Sequence, residues 1–152
     1  MGWRFFQDAE KDREVMLYFG DRQTIIDSDC SATKQVTRTI PHTTNIADAT
    51  LRELLKGTTK EENDMGLTDN FSNASGYLGN DVEPLLSYYT GLSIQDGIAT
   101  IDFSSGALQY LNNAACIQAT VKSPIKKTLQ QFPDIEDMRY FIDGKEFTEW
   151  DA

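Results

Sequence analysis

The dipeptide Asp96-Gly97 is the feature that most constrains the fold of this 152-residue chain. It lies inside GLSIQDGIATIDFSSG, residues 91–106, between two runs in which apolar and polar residues alternate. A type I′ turn needs positive φ at both of its central residues, and Asp-Gly adopts that conformation readily. The sequence therefore predicts a β-hairpin, with Ala99, Ile101 and Phe103 on one face of its second strand.

Two further strands are predicted before the hairpin and one after it. The apolar run EVMLYFGD, residues 14–21, is typical of a central strand that is covered on both faces. The β-branched run KQVTRTIP, residues 34–41, indicates a second strand, which ends at its proline. Residues 138–142 indicate a last strand, closed by a turn at Asp143-Gly144.

Two segments have the spacing of amphipathic helices. Residues 44–57 can be capped by Thr44 or Asn45 and stopped by Gly57. A second apolar stripe over residues 107–132 predicts another helix, in which Pro124 marks either a kink or a new start. The apolar positions are Ala47, Leu51, Leu54 and Leu55 in the first helix, and Ala114, Ile117, Val121, Ile125, Leu129 and Phe132 in the second.

The predicted order is β-β-α-β-β-α-β, which favours an α+β fold with a mixed sheet and two helices packed on one face. The length suits a single domain, which we expect to span residues 14–152. Residues 1–13 are then an N-terminal tail or a cloning remnant. Residues 58–88 are rich in Asn, Asp, Gly and Ser and lack a clear period, so they are predicted to form a long loop, and loops of this length tend to be functional or mobile.

The charge of the chain narrows the classes of partner. There are 24 Asp and Glu residues against 14 Lys and Arg residues, a formal charge of −10. Because this charge repels phosphate backbones, we expect no nucleic-acid partner.

No apolar run approaches the roughly 20 residues that cross a bilayer, and the first residues lack the apolar centre of a signal peptide. We expect no membrane span, and any leader or anchor would lie outside this sequence.

The residues that catalysis or metal binding would need form no recognisable motif. The one histidine, His42, follows Pro41 in a predicted loop and has no triad partners. Ser104 and Ser105 have no base beside them and fit helix capping or a turn better. DNFSNASGYLGND, residues 69–81, is similar to a calcium loop but has its glycine at the wrong position. The sequence thus predicts no catalytic residue, no metal site and no cofactor.

Four aromatic residues in and beside the long loop are the candidate binding residues: Phe71, Tyr77, Tyr88 and Tyr89. Exposed tyrosines among polar groups suit stacking on a glycan or a hot spot for a protein partner. The alternative is that these rings anchor the loop to the core. The residues leave a similar choice for Cys30 and Cys116, which match no C-x-x-C spacing and are either buried thiols or one long-range disulfide.

The order of these segments resembles the GerMN domain, a module of sporulation and spore-germination proteins that is also found in bacterial envelope lipoproteins. The resemblance covers roughly residues 14–144. At Thr58 the chain departs from the family pattern, because many members have a proline after the residue matching Gly57. The resemblance is carried by VMLYFGD, by Arg38 in the second strand, by ATLRELLKGTTKEENDMGLTDNF, by LSIQDGIATIDFSSG and by TLQQFPDIEDMRYFIDGK.

The resemblance implies a noncatalytic module for binding or assembly at the cell envelope, and not an enzyme. The expected partner is an envelope protein or a second copy of the chain. A glycan or peptidoglycan is the alternative ligand, and an envelope hydrolase is the least favoured interpretation. Some members have cysteines at the positions of Cys30 and Cys116, which implies a disulfide here. A disulfide in turn implies an extracytoplasmic location, with the protein either secreted or anchored through a segment outside this sequence.

Overall fold

The computed structural model describes residues 11–73 and 76–150, so residues 1–10 of the predicted tail lie outside the described residues. Two 3-10 helices, Leu85–Tyr88 and Ser105–Ala107, accompany the longer elements. In chain order these are β1 (Arg13–Asp21), α1 (Arg22–Asp27), β2 (Thr33–Ile40), α2 (Ile46–Leu55), α3 (Lys60–Asp64), β3 (Leu67–Thr68), β4 (Tyr89–Gln95), β5 (Ile98–Phe103), α4 (Leu108–Leu111), α5 (Ala115–Leu129), β6 (Asp137–Ile142) and β7 (Lys145–Glu146).

The first sheet has the strand order β2-β1-β3, and both neighbours run antiparallel to β1. The central position of β1 is therefore confirmed. Its predicted coverage on both faces is wrong, since Val15, Leu17 and Phe19 are buried whereas Met16 on the opposite face is 37% exposed. Its apolar run reflects a half-exposed strand that carries large residues on both faces.

The second sheet has the order β4-β5-β6-β7 and contains the predicted hairpin. Asp96 and Gly97 have φ values of 53° and 80°, the pair of positive angles that a type I′ turn requires. Strands β5 and β6 run parallel while the other two pairs are antiparallel, so this sheet is mixed, as predicted. The inward face of β5 carries Ala99, Ile101 and Phe103, all buried.

The single α+β domain is confirmed, but the strands divide into two sheets where the sequence predicts one. The reason lies at the free edge of β1. The Tyr18 N–H donates to Thr128 Oγ1 at 3.0 Å, and the Met16 N–H donates to Gln131 Oε1 at 3.2 Å. Because a side chain in the last turn of α5 and one just after the helix satisfy these strand donors, the edge cannot accept a further long strand there.

The two long helices, α2 and α5, pack against β1 and against each other. All four predicted apolar positions of α2 are buried. Helix α5 runs through Pro124 without ending there. Its stripe is correct at Val121, Ile125 and Leu129, which are fully buried, but incorrect at its start, where Ala114 is exposed.

Gln118 takes the inward position near the start of α5, which the apolar pattern does not reveal. Its amide Nε2 donates to the carbonyls of Leu111, at 2.7 Å, and Glu149, at 3.1 Å. A polar side chain with its hydrogen bonds satisfied can be buried at little cost. Its amide thereby joins α4 to the C-terminal segment.

The described residues of the segment, 58–73 and 76–88, form more regular structure than the predicted long loop. They contain α3, β3 and the 3-10 helix Leu85–Tyr88. Helix α3 begins with a capping box, in which Thr59 Oγ1 accepts from the Glu62 N–H and Glu62 Oε1 accepts from the Thr59 N–H. Since β3 then pairs with the end of β1, the first part of the segment is fixed to the first sheet.

Candidate functional site

The four candidate aromatic residues do not form one exposed surface. Phe71 and Tyr89 are buried, with 0% and 6% of their surface exposed, and Tyr88 is half-buried. Tyr77 is 40% exposed. The structure thus favours the anchoring alternative for three of the rings and leaves Tyr77 available to a ligand.

Tyr88 and Tyr89 fasten the end of the segment to the core. The Tyr89 hydroxyl donates to Asp48 Oδ1 at 2.6 Å, and its ring packs edge-on against Phe103. Burial and this bond raise the pKa of Tyr89. The Tyr88 hydroxyl accepts from the Glu83 N–H at 3.1 Å, and the Tyr88 ring lies so close to Gly106 that a Cβ there would clash. These two rings are therefore part of the scaffold.

Tyr77 lies on a hollow of about 420 Å³ that we call the loop cleft. The cleft is formed by the start of α3, by β3 and by the residues that follow β3. Lys60 and Asp69 are its charged lining residues. Its uncharged lining residues are Thr58, Thr59, Asn63, Thr68, Asn70, Ser72, Asn73 and Tyr77.

Asp69 organises the loop cleft with both carboxylate oxygens. Its Oδ2 accepts from the N–H and the hydroxyl of Thr58, at 2.8 and 3.0 Å. Its Oδ1 accepts from the N–H groups of Phe71 and Ser72 and from the Ser72 hydroxyl, each at 3.0 Å. A proline at position 58 would have no N–H to donate, so the first of these contacts needs a residue other than proline.

Arg38 supports the other side of the cleft from β2. Its guanidinium donates to the carbonyl of Gly57 at 2.9 Å and to Glu53 Oε1 at 3.2 Å. It also forms a two-pronged pair with the carboxylate of Glu62. The guanidinium carbon lies 5.3 Å from the centre of the Phe19 ring. One side chain therefore joins the sheet, the end of α2 and the start of α3.

The Arg38–Glu62 pair is held in its charged form. Burial alone would raise the pKa of Glu62, but hydrogen bonds from Arg38 and Thr59 outweigh it and lower that pKa below its ordinary value. Burial likewise opposes the charge of Arg38, while its bonds to Glu62 and Glu53 raise the pKa of the guanidinium. Only 12% of each side chain is exposed, so this pair is better shielded than a typical surface ion pair.

Tyr77 and Asn70 give the cleft an exposed ring and an anchored amide. The Tyr77 hydroxyl lies 3.5 Å from the Asn70 carbonyl, a weak hydrogen bond. Partial burial and the charge of Asp69 raise the pKa of Tyr77 to about 12, so the hydroxyl stays neutral near pH 7. Asn70 Nδ2 donates to Thr120 Oγ1 at 2.6 Å, which links the cleft to α5.

No grouping suited to a metal ion is found within residues 11–73 and 76–150, where three or more His, Cys, Asp or Glu side chains never converge. His42 is exposed between β2 and α2. Of the described residues that line the loop cleft, Asp69 is the one carboxylate. None of the described helices is long and apolar enough to cross a membrane.

Cys30 and Cys116 form a disulfide, with their Cα atoms 5.4 Å apart. It ties the turn before β2 to the first turn of α5. Nearby, the Ser123 hydroxyl donates to the Ser31 carbonyl at 2.6 Å, so the same two parts of the chain are joined twice. Of the two possibilities that the residues alone leave open, the structure has the disulfide.

The polar lining of the cleft is the part of the site that sequence reasoning missed. The four aromatic residues lie in or beside the segment that forms the cleft, but the residues that organise the cleft are Asp69 and Thr58. One signal was available, because an Asp two or three positions before Phe71 and Ser72 can bind their N–H groups. The pairing of Asp69 with Thr58 across α3 has no such local signal.

The chain was compared with family models, with curated proteins and with solved structures. The family model Germane, described as sporulation and spore germination, matches residues 16–148. A search of curated proteins gives no match.

Two solved structures are similar in fold. The first GerMN domain of the sporulation protein GerM from Bacillus subtilis aligns with a TM-score of 0.60 at 20% identity, covering 92% of this chain and 90% of that one. The tandem GerMN domains of the same protein align with a TM-score of 0.54 at 21% identity, covering 89% of this chain. The chain spans 40% of the length of that tandem structure.

Proposed function

The chain belongs to the Germane family of sporulation and spore-germination domains, and from that membership we propose that it is a noncatalytic binding or assembly module of the bacterial cell envelope. The partner is an envelope protein, and the loop cleft is the face that meets it. Tyr77 and Lys60, both exposed on this cleft, are the side chains that a partner would contact first.

The observation that supports the proposal is that the carboxylates at the loop cleft are already bonded to other residues of the protein. Asp69 already accepts five hydrogen bonds from Thr58, Phe71 and Ser72. Glu62, behind the cleft, is paired with Arg38. A glycosidase needs two carboxyl groups that can exchange protons with a substrate, held several ångströms apart across a cleft. Carboxylates committed to the scaffold support binding over hydrolysis.

An extracytoplasmic location is part of the proposal. It is supported by the disulfide Cys30–Cys116, because disulfides persist in oxidising compartments and are rare in the cytosol. Cys116 is exposed, so a reducing compartment would have access to the bond.

Affinity capture from an envelope extract of the source organism tests the proposal. The oxidised domain is immobilised as the wild type, as Tyr77→Ala and as Lys60→Glu. Ile26→Ala, at a side chain that is 70% exposed on α1, and Lys34→Glu, on β2, are the matched controls. We expect a defined protein to be recovered by the wild type and both controls and lost from both cleft variants. Equal recovery by all five proteins would remove the loop cleft as the binding face.

A glycan is the second candidate ligand, and the lining of the loop cleft favours it. Eight of the ten lining residues are uncharged and carry hydroxyl, amide or phenol groups. Such groups can form hydrogen bonds with the hydroxyls of a sugar, and the exposed Tyr77 ring can stack on a sugar face. This candidate uses the same cleft with a different class of ligand.

Sedimentation with purified peptidoglycan separates the two candidates. If the ligand is a glycan, the wild type and the Ile26→Ala control sediment with the cell wall, whereas Tyr77→Ala stays in solution. If the wild type remains in the supernatant at every amount of cell wall, peptidoglycan is not the ligand.

A further inference from the structure

The outer side of α5 carries a cationic patch on an otherwise acidic chain. Lys122, Lys126 and Lys127 lie there within six residues, while the whole chain has a formal charge of −10. Lys126 and Lys127 are exposed and Lys122 is half-buried. This patch is on a different element from the loop cleft.

Trp150 lies over this side of the helix. Its ring packs edge-on against Tyr140 and Phe147, with centroids 5.2 and 4.8 Å away. The ammonium of Lys122 lies 4.2 Å from the centre of the Trp150 ring, a cation–π contact. The C-terminal segment thus holds a half-buried indole ring between α5 and β6.

Two hollows meet at this ring, and we call them together the α5–Trp150 groove. The outer hollow, of about 380 Å³, runs along the helix over Ala115, Ala119 and Lys127. The inner hollow, of about 190 Å³, reaches Tyr140 on β6. Lys122, Lys126 and Trp150 line both. Alanine methyl groups, lysine stems and the indole ring give the outer hollow apolar walls with ammonium groups at its edge.

Two lysines and one tyrosine of the groove are not paired within the described residues. Within the described part of the chain, neither Lys122 nor Lys126 makes a salt bridge, although Arg38, Arg52, Lys56 and Arg139 do. Tyr140 is 2% exposed, and its hydroxyl is the one fully buried side-chain polar atom there without a hydrogen-bond partner. Burial and the charge of Lys126 lower the pKa of Lys122 by more than the charge of Asp137, which lines the inner hollow, raises it.

We propose that the α5–Trp150 groove binds an acidic segment of a partner protein, with a carboxylate between Lys122 and Lys126 and an apolar side chain in the outer hollow beside Trp150. Asp137 and Glu146 line the inner hollow, but among the described residues the lining of the outer hollow contains three lysines and no acidic side chain, so charge complementarity favours an anion in the outer hollow. The apolar walls favour a peptide over a phosphate polymer, which has no apolar side chains. The proposal goes beyond the proposed function, because it uses a face separate from the loop cleft, and it rests on that function for the class of ligand.

Titration with synthetic peptides tests the assignment. The probe is a capped nonapeptide that alternates glutamate and leucine, and its counterpart replaces every glutamate by lysine. Binding is followed by two-dimensional ¹H–¹⁵N NMR at low and high salt. The expected result is that shifts at Ala119, Lys122, Lys126 and Trp150 appear with the acidic peptide alone and weaken as salt rises.

Charge-reversal variants of the groove test the role of its lysines, and a matched double variant elsewhere on the chain is the control. Lys122→Glu/Lys126→Glu should weaken binding by about tenfold or more, whereas Arg13→Glu/Lys34→Glu, which makes the same charge change at two exposed positions on β1 and β2, should keep it within about twofold. If the double variant fails to fold, Lys126→Glu alone takes its place, since it alters one exposed side chain. This single variant should weaken peptide binding by a smaller factor than the double variant.

Four outcomes would overturn the proposal. One is equal binding of the two peptides, and another is unchanged binding by the groove variants. The third is tighter binding of polyphosphate than of the acidic peptide, which would assign the groove to an anionic polymer. The fourth is self-association of the domain that the groove variants abolish, which would assign it to a second copy of the chain. If loop-cleft variants lose capture while the acidic peptide still binds the groove, the two faces act independently.

Discussion

Arg38 Nη2 donates a hydrogen bond of 2.9 Å to the carbonyl oxygen of Gly57, which ties β2 to the turn that ends α2. Gly57 has a φ of +89°, and a Cβ built there would lie 2.9 Å from Asp69 Oδ2. The position therefore needs glycine both for its backbone and for the close approach of Asp69. Through this bond the first sheet supports the wall of the loop cleft.

Replacing Arg38 by methionine should destabilise the domain by about 2–4 kcal/mol. The substitution leaves the carboxylates of Glu53 and Glu62 without their shared cation, and both are largely shielded from water. Urea unfolding followed by circular dichroism measures the loss.

Arg139→Met is the matched control for this substitution. Arg139 is 57% exposed and its contact with Glu146 is 4.0 Å long, so its removal should cost less than about 1 kcal/mol. Equal losses for the two variants would mean that the Arg38 network adds nothing beyond a surface ion pair.

The contribution of Glu62 should depend on pH. Its pKa is lowered from 4.5 in the folded protein, so the stability it provides is present above that value and is lost as pH falls through the folded pKa. We therefore expect the wild type to exceed Glu62→Gln in unfolding free energy at about pH 6, with the difference shrinking toward about pH 3. A difference that stays constant over this range would show that the carboxylate charge is not what stabilises the fold.

Much of the fold could be predicted from residue preferences within single turns and helices. The hairpin at Asp96-Gly97 was predictable because both central angles depend on the residues of the turn itself. The apolar stripe of α2 was predictable because Leu51, Leu54 and Leu55 follow the helix period and all are buried.

The division into two sheets depends on contacts between residues far apart in sequence. Thr128 and Gln131 satisfy donors on β1 from 110 and 115 residues away, and nothing in the strand itself signals this. The loop cleft depends in the same way on Asp69 reaching Thr58 across α3. The aromatic pattern could not separate the exposed Tyr77 from the buried Tyr89, because the partner of the Tyr89 hydroxyl is Asp48, 41 residues away on α2.

Removal of the disulfide should lower stability by about 2–5 kcal/mol. Cys30 and Cys116 are 86 residues apart, so their bond restricts a large loop of the unfolded chain. Urea unfolding with and without dithiothreitol tests this, and Cys30→Ser/Cys116→Ser is the control that should not respond to the reductant. A wild type that is equally insensitive would indicate that the bond contributes no stability.

Leu129→Ala should cost about 2–5 kcal/mol in unfolding free energy. Leu129 is fully buried at the end of α5, and the surrounding core can close only part of the space it leaves. Leu108→Ala removes the same atoms from a side chain that is 38% exposed and should cost less than about 1 kcal/mol. A loss near zero at position 129 would contradict its assignment to the core.

Photo-crosslinking in an envelope extract shows whether the loop cleft contacts an envelope component. The reactive residue p-benzoylphenylalanine replaces Tyr77 in one protein and Ile94 in another. Ile94 is 39% exposed on the hairpin, away from the cleft, so it matches Tyr77 in accessibility. We predict a defined adduct from position 77 and none from position 94. No adduct at position 77, or the same adduct from both positions, would contradict the proposed contact.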